Sequence, residues 1–114
     1  MVKHKYKNTK VEYDGRTFDS KKEMTRYCEL KLLERAGEIT DLELQKVFVL
    51  VPAVKLNGRT KPAVRYLSDF SYVQTKDGQT IVEDVKSSYT ANLPTYRLKK
   101  HLMMHVHGIE ITEI

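Results

Sequence analysis

The chain has 114 residues, 40% apolar and 31% charged, a formal net charge of +5 and a pI near 9.3. That length holds one compact domain with a modest core, the mixture excludes a disordered chain, and no apolar run approaches the length of a membrane span. The excess of Lys and Arg points to a polyanionic partner, while the lone Cys28 rules out an internal disulfide or a thiolate zinc cage and suits an intracellular protein.

Residues 1–10, MVKHKYKNTK, are polar and basic, without the apolar core of a signal peptide, and are expected to be a flexible extension. Residues 11–114 are then the single domain. Asp14-Gly15 between Val11-Glu12-Tyr13 and Arg16-Thr17-Phe18 signals a hairpin. From 20 to 36 there is no Gly or Pro; Asp19 or Ser20 can cap a helix there, and Gly37 follows as its stop. Residues 42–51 are rich in Val, Leu and Phe, end at Pro52, and read as a strand. The stretch 53–63, with Asn57-Gly58 and Pro62, reads as a turn-rich connection. Strands are expected at 64–73 and 80–87, joined by a turn at Lys76-Asp77-Gly78-Gln79. Pro94 suits the first turn of a helix that runs to about His107, though neither Leu93 nor Thr95 is a clear cap. Gly108 stops it, and 109–112 makes a last strand. The order is a hairpin followed by α-β-β-β-α-β, and the helix between the third and fourth strands makes those two parallel with a right-handed crossover.

The strands at 64–73 and 80–87 carry the chemistry. A two-residue turn at Asp77-Gly78 sets Ser71 opposite Asp84 and Asp69 opposite Lys86. Side chains alternate between faces, so Asp69, Ser71, Asp84 and Lys86 share one face and Glu83 points to the other. Opposed residues lie about 5 Å apart and diagonal ones about 7–8 Å. Two carboxylates and an ammonium thus converge on a patch the size of a hydrated metal ion. Mg²⁺ takes hard oxygen ligands and keeps several waters. A cation held there polarises a phosphoryl oxygen and acidifies a bound water, and a neighbouring Lys orients that water or offsets developing charge.

Asp69 followed on the next strand by Asp84-Val85-Lys86, with the apolar approach Ile81-Val82-Glu83, resembles the signature of the PD-(D/E)XK nuclease superfamily. The α-β-β-β-α-β order resembles that superfamily's restriction-endonuclease-like core with a mixed sheet. The pieces Asp14-Gly15, Phe18-Asp19-Ser20, Glu23, Arg26-Tyr27, Ala36-Gly37-Glu38-Ile39 and Leu42-Glu43-Leu44-Gln45 are also similar to a family of small phage proteins related to Holliday junction resolvases. The resemblance spans roughly residues 6–112. It implies a Mg²⁺- or Mn²⁺-dependent DNA endonuclease with Asp69 and Asp84 as metal ligands, Glu23 on the first helix as a third acid, the carbonyl of Val85 as a further ligand, and Lys86 beside the attacking water. It also implies branched DNA as substrate, a two-fold homodimer, no organic cofactor and no membrane, and the host cytoplasm for a phage-encoded protein. Asp84 departs from the pattern, since many members carry the longer Glu at that position.

Several residues have a plainer reading beside the functional one. Asp69 and Lys86 could be an ordinary cross-strand ion pair. Ser20-Lys21-Lys22-Glu23 is a capping box, so Glu23 could serve its helix end, the site, or both. Gln45 shares a face with Val47 and Val49 and is read as bonding backbone. Tyr96, Arg97, Lys99 and Lys100 are candidates for contacts to DNA phosphates against a simple solvated helix face. His101 and His105 lack the glutamate of a zinc-protease motif, and Cys28, Met103 and Met104 are read as packing residues. Two further classes remain beside the DNA endonuclease: a non-catalytic nucleic-acid-binding module of the same fold, and a nonspecific or nicking nuclease acting on RNA or DNA.

Overall fold

The computed structural model describes residues 10–86 and 91–114. The expected basic extension therefore lies outside the described residues except for Lys10, and so does Ser87. The elements are the hairpin β1 (Val11–Tyr13) and β2 (Arg16–Phe18), helix α1 (Lys21–Arg35), strands β3 (Ile39–Leu44), β4 (Val47–Val51), β5 (Val54–Leu56), β6 (Arg59–Lys61), β7 (Val64–Leu67), β8 (Phe70–Gln74) and β9 (Thr80–Asp84), helix α2 (Pro94–Leu102), a π-helical stretch Met103–His107, and strand β10 (Thr112–Glu113). Among the described residues no helix is long and apolar enough to cross a membrane.

Local chemistry explains the ends of these elements. Asp14 and Gly15 both take positive φ, which lets Tyr13 pair with Arg16 across a two-residue turn. Ser20 caps α1, its Oγ accepting the Glu23 N–H at 3.1 Å. Helix α2 starts at Pro94 with no side-chain cap, and Gly108 ends the helical run in the left-handed conformation.

The main sheet is mixed, in the order β10-β9-β8-β3, with β9 and β10 parallel and the other pairs antiparallel. The third and fourth expected strands are thus parallel neighbours. Alternation along β8 and β9 sorts their side chains between two cores. Phe70 and Tyr72 pack with Phe18, Tyr27, Leu30 and Ile39 on the α1 side. Val82 points the other way and packs with Phe48, Leu50, Tyr66, Tyr96, Met103 and Ile111. Helices cover both faces, as a mixed α/β chain requires.

Four expectations change. The turn between β8 and β9 is a four-residue loop, with Gln74 N–H bonded to the Gln79 carbonyl at 2.9 Å and Gly78 N–H to the Gln74 carbonyl at 2.8 Å. Phe70 therefore pairs with Glu83 and Ser71 with Val82, two residues away from the expected register. Because the slip is an even number, every side chain keeps its face. Second, the strands expected at 42–51 and 64–73 are each broken in two. Gln45 takes a positive φ of 54° and bends the chain, its N–H bonded to the Asp69 carbonyl at 3.1 Å, while Ser68 closes on the Lys46 carbonyl through both N–H and Oγ at 3.0 Å. Beyond the bend β4 pairs with β7 as a separate ribbon. Third, 53–63 is no irregular loop, because β5 and β6 pair around Asn57 and Gly58, both with positive φ. Fourth, the last strand begins at Thr112, since Ile109 N–H turns back to the Met103 carbonyl at 3.3 Å and closes the helix end instead.

Glu83 joins α1 to the sheet. It is 1% exposed on the α1 side and accepts two hydrogen bonds from Arg26, Nε to Oε1 at 2.8 Å and Nη2 to Oε2 at 2.6 Å, with Tyr72 Oη donating to Oε2 as well. The Glu83 bond drives the Arg26 guanidinium above its ordinary value, and burial together with the Glu83 bond pushes the Tyr72 phenol up to about 12. Breaking such a pair leaves a buried charge without its partner. Glu83→Gln is expected to lose about 3 kcal/mol in urea unfolding. The double variant with Arg26→Ala should lose less than the two singles together. A loss below about 1 kcal/mol, the range of an exposed pair, would show that the pair does not hold the helix.

Candidate active site

Asp69 sits at the bend, where β7 leaves the ribbon and β8 enters the main sheet. Its N–H donates to the Glu83 carbonyl at 3.1 Å, and its Oδ2 accepts the Val85 N–H at 2.6 Å. Continuing the observed register by one pair sets Asp69 opposite Asp84. Asp84 is 3% exposed. Its Oδ2 accepts the Tyr66 hydroxyl at 2.6 Å, and its Oδ1 lies 3.2 Å from Lys86 Nζ. That ammonium also lies 4.3 Å from the centre of the Tyr96 ring, a cation–π distance. The two-residue slip thus brings the two carboxylates closer together than expected, and pairs Lys86 with Asp84 where Asp69 was expected.

Glu23, on the first turn of α1, is buried, and it lines a cleft of about 320 Å³ with Asp69, Gln45, Arg16 and Thr17. Only half of the capping box forms among the described residues: Ser20 Oγ accepts the Glu23 N–H, and no bond returns from the Glu23 carboxylate to Ser20. That carboxyl is raised above its ordinary value by burial, then by Asp19 and Asp84. Asp69 is pushed up to about 7, chiefly by burial and then by the charges of Asp84 and Glu23, against the lowering effect of the Val85 N–H. The three acids therefore act on one another electrostatically. Among the described residues, no three His, Cys, Asp or Glu side chains stand close enough to form a ready metal-ligating group. Asp69 and Asp84 alone fit a hard divalent cation, which takes one or two carboxylates and keeps waters.

The other expected site residues divide. Val85 gives its N–H to Asp69 and packs its side chain against the Phe70 cluster. Tyr96 is buried, its hydroxyl donating to Glu113 at 2.6 Å, and Lys100 reaches the same carboxylate at 3.1 Å. Both face inward, and Tyr96 is the ring beneath Lys86. Arg97 is exposed and Lys99 half-buried. Gln45 is exposed in the cleft rather than buried with the strand, because the bend turns it out. His107 Nε2 lies 2.8 Å from the Val49 carbonyl, and His101 and His105 are exposed. Cys28 is half-buried against the α1 core, Met103 is fully buried and Met104 is exposed. Tyr66 was not singled out from the sequence. It lies three residues before Asp69, a spacing that strand alternation assigns to the opposite face, and only the bend brings its hydroxyl to Asp84.

A family profile described as "Protein of unknown function (DUF1064)" matches residues 3–112, so the chain belongs to that family. No curated protein and no solved structure matches it.

The raised Asp69 carboxyl costs the metal-free fold. Below about pH 4 Asp69 is protonated whether the chain is folded or not. Between its ordinary value of 3.8 and about 7 the unfolded chain ionises and the folded one does not, so stability falls as pH rises through that window. The rise from 3.8 to about 7 sets a ceiling of ~4 kcal/mol, which partial solvent access reduces. Asp69→Asn is expected to be about 2 kcal/mol more stable than wild type at pH 8 in EDTA, and equal to it at pH 4. Urea unfolding of both proteins at both pH values checks this, and an advantage over wild type no larger at pH 8 than at pH 4 would contradict it.

Proposed function

We propose that this DUF1064 protein is a metal-dependent endonuclease that hydrolyses phosphodiester bonds in DNA. The observation that carries the proposal is the Asp69–Asp84 carboxylate pair with Lys86 beside it on one sheet face and Glu23 at the rim of the adjoining cleft. The PD-(D/E)XK resemblance supports it, as does the all-oxygen donor set. A binding module without catalysis needs neither the buried acids nor their cost to the fold.

Asp69 and Asp84 are the residues that would hold Mg²⁺ or Mn²⁺, with the Val85 carbonyl as a further ligand, and Glu23, which forms no ready ligating group with them, would serve as a third acid beside the ion. When bound, the ion polarises a phosphoryl oxygen and acidifies a water. The chain's own residues prepare for this. Tyr66 and the Val85 N–H each fix one oxygen of a carboxylate, which sets the direction of the other. Asp69 must give up its proton to act as a ligand, so metal affinity rises with pH through about 7. Lys86, held between Asp84 Oδ1 and the Tyr96 ring, keeps a positive charge where negative charge develops on the phosphate, and it can orient the attacking water. The resemblance further supports branched DNA as substrate. One chain offers one site, and paired cuts across a junction need two copies related by a two-fold axis.

Plasmid, linear and four-way-junction DNA incubated with Mg²⁺ or with EDTA test the activity. Cleavage is expected only with Mg²⁺, with Ca²⁺ binding but giving no turnover. Asp84→Asn should be inactive and folded. Lys86→Ala should lose roughly 100-fold or more in rate while its calorimetric Mg²⁺ affinity stays within a few-fold of wild type. Cleavage in EDTA, or by Asp84→Asn, would sink the proposal. Equal rates on linear and branched DNA by a monomer would sink only its junction-resolving part.

A further inference from the structure

Residues 46–67 form one continuous arm. It leaves the main sheet at Lys46 and returns at Ser68, next to Asp69. Its lower half, β4 with β7, is anchored through Phe48, Leu50 and Tyr66 in the core under α2. Its upper half, β5 with β6, is exposed at all six strand residues and pairs only within itself around the Asn57-Gly58 turn. Pro52 and Pro62 stand at the junction of the two halves and separate their ladders.

Uncompensated positive charge lies there and in residues 1–10. Residues 46–67 hold five of the 20 Lys and Arg and none of the 15 Asp and Glu, residues 1–10 hold four Lys and no acid, and the remainder is net negative. Lys46 is paired with Glu43 at 3.2 Å. Lys55, Arg59, Lys61 and Arg65 are exposed, and among the described residues none of them makes an ion pair. Four cations without counter-charges on an exposed ribbon are a cost to the isolated molecule that a polyanion removes. In the register of the ribbon, Arg59 and Lys61 lie on one face with Leu56 and Val54, and Lys55 lies on the other with Thr60. Cations on both faces suit a ribbon that enters a groove and meets phosphates on either side, and the major groove of B-form DNA admits a two-stranded ribbon. Eleven residues from the bend to the turn reach at most about 35 Å, close to one turn of the duplex.

We propose that this arm is the duplex-DNA-binding element of the protein, gripping phosphates through Lys55, Arg59, Lys61 and Arg65 and leading the backbone to the Asp69–Asp84 site at its root. The proposal deepens the endonuclease reading and rests on it for the choice of DNA as the polyanion. The contacts are to phosphate, so the arm binds independently of sequence.

Binding of a duplex DNA probe, measured by fluorescence anisotropy in EDTA between 50 and 200 mM salt, tests it without requiring cleavage. The triple variant K55A/R59A/K61A is expected to lose at least tenfold in affinity near 100 mM salt, and its slope of log affinity against log salt should be shallower by about 2–3. A second variant, in which Asn-Gly replaces residues 52–63 and joins β4 to β7 directly, should behave alike while melting as a folded protein, since the anchored half of the arm remains. Charge-conserving K55R/R59K/K61R should bind within about threefold of wild type. Both arm variants binding DNA with unchanged affinity and slope would overturn the proposal, and so would equal loss on duplex RNA of the same length, whose narrow major groove excludes a ribbon. Arm-dependent binding without any Mg²⁺-dependent cleavage would uphold the arm and defeat the nuclease. Cleavage by both arm variants at wild-type efficiency and salt dependence would do the reverse.

Discussion

The buried Glu83 carboxylate is the constraint on which the site depends. It has three donors on the α1 side of the sheet, two nitrogens of Arg26 and the Tyr72 hydroxyl, and is almost wholly removed from water. An ionised carboxylate tolerates such burial only with partners of this quality. Arg26 stands one helical turn after Glu23. Fixing Arg26 on β9 therefore also sets the height of the helix start over the sheet, and with it the position of Glu23 relative to Asp84. The adjacent residue on the same strand, Asp84, faces the opposite way, toward the proposed site. One acid with three donors holds the structure, and the next shares a single ammonium, Lys86, with two further acids nearby.

The second constraint is the bend in the long excursion that begins at β3 and ends at β8. Two strands continuing straight would have carried Tyr66 and Asp69 to opposite faces. The bonds from Gln45 to the Asp69 carbonyl and from Ser68 to the Lys46 carbonyl let the chain turn without leaving backbone groups unpaired. The turn places the Tyr66 hydroxyl on Asp84 and starts the β4–β7 ribbon from the rim of the site. The arm and Asp69 are thereby parts of one hairpin, although their charges are opposite.

Much of this was legible in the residues. The N-terminal hairpin, both helices, the parallel partnership of the last strand and the face shared by Asp69, Asp84 and Lys86 follow from turn chemistry and alternation. The shared face survived a wrong loop length because the error was even. What could not be read is tertiary. Nothing local distinguishes Gln45 in a left-handed bend from Gln45 in a strand, since the conformation is held by Asp69, far away in the chain. Tyr66 was invisible as a site residue for the same reason. Tyr96 was placed among phosphate contacts because it neighbours basic residues, whereas helix packing turns its ring inward under Lys86. Asn57-Gly58 announced a turn, but the three-residue strands on either side of it are too short and too polar to announce themselves.

Under the proposed endonuclease reading, the arrangement also resolves an electrostatic difficulty. Asp69 and Glu23, whose proton affinity burial and the neighbouring acids raise, repel a phosphodiester once they are charged, as does Asp84. A projecting arm with cations that no acid compensates can draw nucleic acid toward such a cluster, because attraction to phosphates acts over about a Debye length, near 10 Å at 0.1 M salt, and a strand spanning the arm meets its cations before it meets the acids. Placing the cations out on the arm keeps Lys and Arg from neutralising Asp69 and Asp84, which would fill their oxygens with ammonium or guanidinium donors. Lys86 is the exception, held to one oxygen of Asp84 and drawn toward the face of Tyr96. The acids thus stay available for a cation from solution, while the attraction that delivers the substrate is supplied from a distance.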